Sequence, residues 1–336
     1  MITRKQGRDH QNKTKLEKSK QKLSLSSVNT SLSQELQESV LLEMLDLLNI
    51  GNRLQVETDF QESSLDPQIK RIEDFNYTYY SECLQVLLLD QNDSSQCLSN
   101  HKIREWVRGK MVDWMIEVFA SNNIQYSNND LTFFRAVNLL DAYLRNSYNL
   151  NDSDMYLIGV TCIFIASKIE DIYQISIRNI VQELAHNKYS SFQIKEQESI
   201  ILETLNYDTC FPTVIDYLQF LSFQLFGLSQ NQAIQIIQET AVYILKMCYH
   251  DYAIMQYQQI LLAASILGFT IQNYVELHLS QLATNFKKQL LQTQHNLLRI
   301  GSLDLGDYME CIQKVEELTQ IFHLKYPEYQ NLQRFN

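Results

Sequence analysis

Apolar side chains recur every three or four residues along this chain from Tyr77 to near its C-terminal end, a spacing that gathers them on one face of an α-helix. The pattern predicts a lead-in helix over 79–89 and, after a polar loop, five helices over 103–120, 131–145, 153–170, 175–185 and 192–205. In the third of the five, the run from Met155 to Ile169 is apolar nearly all round, and Gly159, Ala166 and Ser167 let neighbours approach closely. A helix hydrophobic on every face belongs at the centre of its domain. The run is broken by Thr161 and is shorter than the ~20 residues that a membrane span requires, so it reads as a core helix. A second array opens at Pro212, placed in a first helical turn where proline is tolerated, with helices over 214–226, 230–249, 258–273 and 306–323 and a less regular one between 275 and 300.

Residues 1–75 have a different character. Arg4, Lys5, Arg8, Lys13, Lys15, Lys18, Lys20 and Lys22 come with few acids, and a serine-rich stretch runs from Ser24 to Ser33. Such a composition buries too little apolar surface to offset chain entropy, so a largely disordered tail is expected. Inside it, Leu36, Val40, Leu41, Met44, Leu45 and Leu48 keep helical spacing over 34–49, with Ser33 as a cap and Gly51 past the end. This is either an extra helix docked on the folded body or one that forms only with a partner. The spread-out basic charges fit a nuclear import signal and a solvated arm equally.

The 336 residues are enough for two domains and a tail. Three prolines and eight glycines are too few for a sheet-rich fold, which favours long helices with short polar connections. Asparagine clusters at 122–123, 128–129, 149–152 and 206–208 supply the breaks, since asparagine caps helices and tolerates left-handed backbone. A formal net charge of −11 argues against a general nucleic-acid binder, which needs a basic surface to displace counterions. The six cysteines are dispersed, consistent with buried reduced thiols in an intracellular protein. No paired ligand spacing offers a metal site, no Gly-rich loop offers a phosphate site, and His250-Asp251 reads as a helix-end feature. The expectation is therefore a protein with no catalytic residues, no metal and no cofactor.

Two blocks give the chain a more specific character: Val107-Arg108-Gly109-Lys110-Met111-Val112-Asp113-Trp114-Met115-Ile116-Glu117-Val118 and Ala166-Ser167-Lys168-Ile169-Glu170-Asp171-Ile172-Tyr173. The first resembles the Met-Arg-x-Ile-Leu-x-Asp-Trp-Leu-x-Glu-Val helix of the cyclin box, and the second its Ala-Ser-Lys-x-Glu-Glu-Ile-Tyr helix end. Between them, Ala136-Val137-Asn138-Leu139-Leu140-Asp141-Ala142-Tyr143-Leu144 resembles the family's Ala-Val-Asn-x-x-Asp-Arg-Phe-Leu helix. The Phe211 to Leu218 segment resembles the opening of a second cyclin-box repeat. The likeness is strong from about 77 to 208 and weaker from 211 to 326, and it is nearest to A- or B-type mitotic cyclins.

The resemblance implies an all-α protein with two tandem five-helix cyclin-box folds, an N-terminal box over 76–209 and a C-terminal fold over 210–330. It implies a non-catalytic regulatory subunit that forms a heterodimer with a cyclin-dependent kinase and activates it by packing on the kinase's αC helix, in control of cell-cycle progression, in the nucleus and/or cytoplasm. No direct nucleic-acid or membrane partner is implied. The matching kinase-contact positions are Lys168 and Glu198, with Ile169 and Glu170 beside them. A lysine donates to main-chain carbonyls and a carboxylate accepts from main-chain amides, so the two would fix register across an apolar contact. Arg108 and Asp141 match the family's buried ion pair. Trp106 is expected in the core.

Val107, Met111, Trp114, Glu117 and Tyr156 match the patch on which the family docks Arg-x-Leu peptides of substrates and inhibitors. Here the chain departs from the pattern, with Lys110 at an apolar position and Tyr156 in place of a glutamine. A lysine repels an incoming arginine, so an altered or absent Arg-x-Leu preference is expected. The tail has no Arg-x-x-Leu destruction box, and no proline follows serine or threonine. Two other classes compete with this reading: a cyclin-fold scaffold or transcription-related module that activates no kinase, and a helical enzyme for which no site can be assembled.

Overall fold

The computed structural model describes residues 96–120, 129–227, 231–278, 284–301 and 303–334. The expected tail over 1–75, the helix over 34–49 and the lead-in helix over 79–89 lie outside them.

The described residues are all-α, without a strand among them. The first array comprises α1 (Glu105–Ala120), α2 (Asn129–Asn146), α3 (Met155–Glu170), a short α4 (Ile177–Asn179) that runs into a π-helical turn over Ile180–Leu184, and α5 (Ser191–Thr204). The second comprises α6 (Val214–Phe226), α7 (Gln232–His250), α8 (Gln259–Leu277), α9 (Thr284–Gly301) and α10 (Leu305–Lys325), followed by a 3-10 turn over Asn331–Arg334.

Local chemistry accounts for the boundaries. Ser190 and Gln193 form a reciprocal capping box that starts α5, at 3.2 Å and 3.0 Å. The Asp216 carboxylate accepts the Thr213 amide at 2.7 Å and starts α6, and Asn231 and Asp304 cap α7 and α10. Thr213 is the residue before the first turn, so Pro212 precedes the cap and does not occupy the helix. Asparagine does turn the chain where expected at Asn149 and Asn206, with φ of 58° and 51°, and also at Asn187, with φ of 59°, outside the expected clusters.

Each array has a helix buried on all sides. In the first it is α3, buried from Ile158 to Ser167 and packed on α1, α2 and α5. Gly159 makes the α1 contact possible, because a Cβ there would sit 2.4 Å from Met111 Sδ. In the second it is α8, which packs on α6, α7, α9 and α10. By length and composition α8 could cross a membrane, but 78% of its apolar window is buried in protein, the mark of a core helix.

The arrays are joined at α1, α2 and α7. Arg108 of α1 donates to Tyr249 O at 2.8 Å, Asn138 of α2 donates to the Tyr249 hydroxyl at 2.7 Å, and Lys246 of α7 pairs with Asp130 of α2 at 2.8 Å. After α10 the chain returns to α1: Tyr329 lies over Gly109 and donates to Trp106 O at 3.3 Å, and Asn331 Nδ2 donates to Asp113 Oδ2 at 2.8 Å.

Besides the place of Pro212, two expectations need correction. The helix over 175–185 is one α-turn and one π-turn, since Ser176 caps only a short segment. Trp106 is not in the core but 42% exposed. It stands at the first turn of α1, where no apolar layer covers it; the cations of Arg104 and Lys110 sit over its ring instead, each 4.6 Å from the centroid.

Candidate functional site

The end of α3 brings charged and apolar side chains to one edge of the first array. Lys168, in the last turn, pairs with Glu198 of α5 at 2.5 Å, and its ammonium lies 3.8 Å from the centre of the Phe164 ring. The two charged side chains keep 32% and 15% of their exposure, so both are partly covered and still accessible. Ile169 is half-buried. Just beyond the helix, Ile172 and Tyr173 are 80% and 78% exposed. Two large apolar side chains this open, next to an ion pair, form a small platform that pays a hydration penalty until something covers it.

Glu170 behaves differently from its neighbours. Its Oε1 accepts from Arg135 Nε of α2 at 2.6 Å, and the next carboxylate, Asp171 Oδ1, accepts from Thr132 at 2.6 Å. Burial raises the Asp171 carboxyl above the ordinary range, the Thr132 hydrogen bond opposes that, and nearby Glu170 adds to it. Both carboxylates that close α3 thus face the protein itself.

The other matched surface lies between α1 and α3. Trp114 meets Tyr156 edge-on with ring centroids 5.1 Å apart. Tyr156 donates to Leu184 O at 2.7 Å, and its ring lies 5.9 Å from that of Tyr189 and 4.9 Å from the Lys188 ammonium. Val107 is half-buried, Met111 buried and Glu117 exposed. Tyr156 therefore widens an aromatic surface that continues into Tyr189. Lys110 is exposed with its ammonium over Trp106, one turn toward the start of the helix from Trp114.

Arg108 and Asp141 form a two-pronged pair, Nε to Oδ1 at 2.7 Å and Nη2 to Oδ2 at 2.6 Å, with side-chain exposures of 1% and 3%. Burial alone would lower the guanidinium pKa, but the Asp141 carboxylate outweighs it and drives the value up. The pair lies inside the helix packing, which makes it a structural element. Among the described residues no group of His, Cys, Asp and Glu is placed to hold a metal.

The sequence pattern singled out Lys168, Glu198, Ile169 and Glu170, and the structure gathers them at one end of α3. Ile172, Tyr173, Arg135 and Thr132 were not singled out. The first two had a signal, two large apolar residues just past a predicted helix end. Arg135 and Thr132 had none, because their partners come from other elements.

The fold is that of an all-helical cyclin, and its likeness to known proteins supports this. Residues 78–210 match the family described as Cyclin, N-terminal domain. Over that segment the chain matches the cyclin family. It is similar to a putative cyclin-F3-1 of Oryza sativa subsp. japonica, 36% identical over 113 residues, which cover 34% of this chain and 28% of that protein. It is also similar to the G2/mitotic-specific cyclin C13-1 of Daucus carota, 28% identical over 162 residues, covering 48% of this chain and 45% of that one. The chain thus spans less than half the length of either curated relative. Among solved structures, a viral cyclin from herpesvirus saimiri superposes with a TM-score of 0.57 at 18% identity, over 75% of this chain and 98% of the viral one, which is a likeness of fold.

Proposed function

We propose that this chain is the regulatory subunit of a cyclin-dependent protein kinase and that the end of α3 with the facing part of α5 is its kinase-binding surface. The observation that carries the reading is the partly exposed Lys168–Glu198 pair at 2.5 Å beside Ile172 and Tyr173, both open to solvent. The apolar platform supplies burial on docking, and the pair supplies a donor and an acceptor for kinase main chain, which fixes register across an otherwise apolar contact. In the free chain the two charges satisfy one another, so exchanging that contact for kinase main chain costs less than exposing an isolated buried charge. Pressing on the αC helix would bring its glutamate to the β3 lysine, the step that completes a kinase active site. Control of cell-cycle progression, and residence in the nucleus or cytoplasm, belong to the same proposal.

The test is to purify the chain with a panel of cyclin-dependent kinases from its own source and to measure binding and histone phosphorylation. Wild type is expected to bind and activate one of them, and Lys168→Ala/Glu198→Ala to lose both. Wild type binding no kinase sinks the reading in favour of a scaffold; binding without activation restricts it to recruitment.

A further inference from the structure

We propose that Arg135 is a positioning residue for the contact surface at the end of α3, tying that end to the segment that joins the two helical arrays, so that the second array sets the pose of the first array's contact residues. This rests on the kinase-regulator reading for its functional half.

The geometry is a three-way clamp. From a side chain only 10% exposed, Arg135 Nε donates to Glu170 Oε1 at 2.6 Å, and Nη1 makes a short hydrogen bond to Phe211 O. Nη2 lies 3.8 Å from Asp216 Oδ2, and the guanidinium sits 5.9 Å from the centre of the Phe211 ring. One fork thus holds the last residue of α3, the joining segment and the first turn of α6. Thr132, three residues earlier on α2, holds Asp171 in parallel.

Position along the chain gives this clamp its consequence. Glu170 and Asp171 lie between Lys168 on one side and Ile172 and Tyr173 on the other, so fixing the two carboxylates fixes the spacing between the charged and the apolar halves of the surface. Past Glu170 the segment has left the helix, and few backbone hydrogen bonds remain to hold it. The carboxylate of Asp216 has a second duty, accepting the Thr213 amide at the start of α6, so a shift of α6 is felt by Arg135 directly. Glu170 accordingly belongs to the clamp and does not itself face the kinase. Lysine cannot replace arginine here: an ammonium is a point charge, whereas the guanidinium is a planar fork that serves several acceptors at once.

The test uses the full chain as wild type, Arg135→Gln and Arg135→Lys. In hydrogen exchange read by mass spectrometry, peptides covering 168–175 are expected to exchange about tenfold faster in both variants, with peptides of α8 unchanged. Affinity for the kinase is expected to fall about tenfold in both variants, corresponding to ~1.4 kcal/mol. Unchanged exchange at 168–175, an equal acceleration throughout the molecule, or full rescue by lysine would each overturn the clamp. Selective loosening without loss of affinity would overturn its functional half. A wild type that binds no kinase removes the function proposed above and leaves the exchange result to decide on the clamp. Should Arg135→Gln fail to fold, Asp216→Asn keeps an acceptor for the Thr213 amide while removing the charge near Nη2; about a twofold acceleration confined to the same peptides is expected, and none overturns the clamp.

Discussion

Replacing Arg108 with methionine tests the balance of forces inside the first array. The substitution keeps an unbranched apolar stem but removes two donors from Asp141 and one from Tyr249 O, at 2.6 to 2.8 Å. Asp141 is then left 2% exposed, with the thiol of Cys97 at 3.6 Å as a weak donor. An uncompensated buried charge costs about 3–5 kcal/mol, and an unsatisfied buried carbonyl about 1–3 kcal/mol more. The two penalties arise from one side chain and are not additive, so a loss of about 4–6 kcal/mol is expected. That is a large share of the roughly 5–15 kcal/mol that holds a typical domain together. The double substitution Arg108→Met/Asp141→Leu removes both charges and leaves only the carbonyl unpaired, so it is expected to cost about 1–3 kcal/mol. Urea unfolding of the full chain, followed by far-UV circular dichroism and analysed by linear extrapolation, measures both. The reasoning is refuted if the single variant lies within 1 kcal/mol of wild type, or if the double variant is as unstable as the single one.

Gly109→Ala places a methyl group 2.1 Å from the Tyr329 hydroxyl oxygen and 3.2 Å from His250 O, so the C-terminal turn must lift from α1; limited proteolysis should cut after α10 in the variant and spare wild type. Asp251 is buried, which pushes its carboxyl up, but Lys325 at 2.6 Å and hydrogen bonds from Ile254 N and Tyr326 outweigh burial and hold it below the ordinary 3.8. A depressed carboxyl contributes its stability above the unfolded value and loses it as the pH falls through the folded one, so the penalty of Asp251→Asn, measured by thermal melts, should be full at pH 6 and shrink below about pH 4. Asp171 has the opposite sign, raised chiefly by burial, and Asp171→Asn keeps an acceptor for Thr132; the variant should be as stable as wild type or more so at pH 7, with the gain vanishing in acid. The Lys168→Ala/Glu198→Ala chain should unfold within about 1 kcal/mol of wild type, since the pair is partly exposed, so any loss of kinase binding is a loss of contact and not of fold. At the α1–α3 surface, an Arg-x-Leu peptide titrated in fluorescence anisotropy should bind Lys110→Ile tighter than wild type; equal affinity would mean that Lys110, held over Trp106, keeps its charge out of the groove.

The helices were legible because each carries its own period and its own stop signals. In α3 the small residues and the all-round apolar run point to one outcome, a central helix, and Gly159 against Met111 shows why. Asn149 and Asn206 turn the chain as their side chains permit. Trp106 was placed wrongly because hydrophobicity was read without position: at the first turn of α1 an aromatic ring can be satisfied by Arg104 and Lys110 as well as by a core. A single helix was expected over 175–185; Ile175, Ile180 and Leu184 are all buried there, and spacings of five and four suit a π-turn as well as an α-turn.

The candidate site divides along a similar line. Lys168 and Glu198 are far apart in sequence, and only the resemblance linked them; the fold then brings them to 2.5 Å because α3 and α5 pack together. Glu170 looked equivalent to Lys168, two residues away in the same motif. A motif records which residues occur together and not which way each one faces. About 200° separates neighbours two apart on a helix, so Lys168 and Glu170 point to nearly opposite sides of α3. One reaches solvent and Glu198 of α5, the other Arg135 of α2. Which way a charged residue in such a block faces is therefore set by the helices packed around it, and in this chain Arg135 of α2 holds the Glu170 carboxylate.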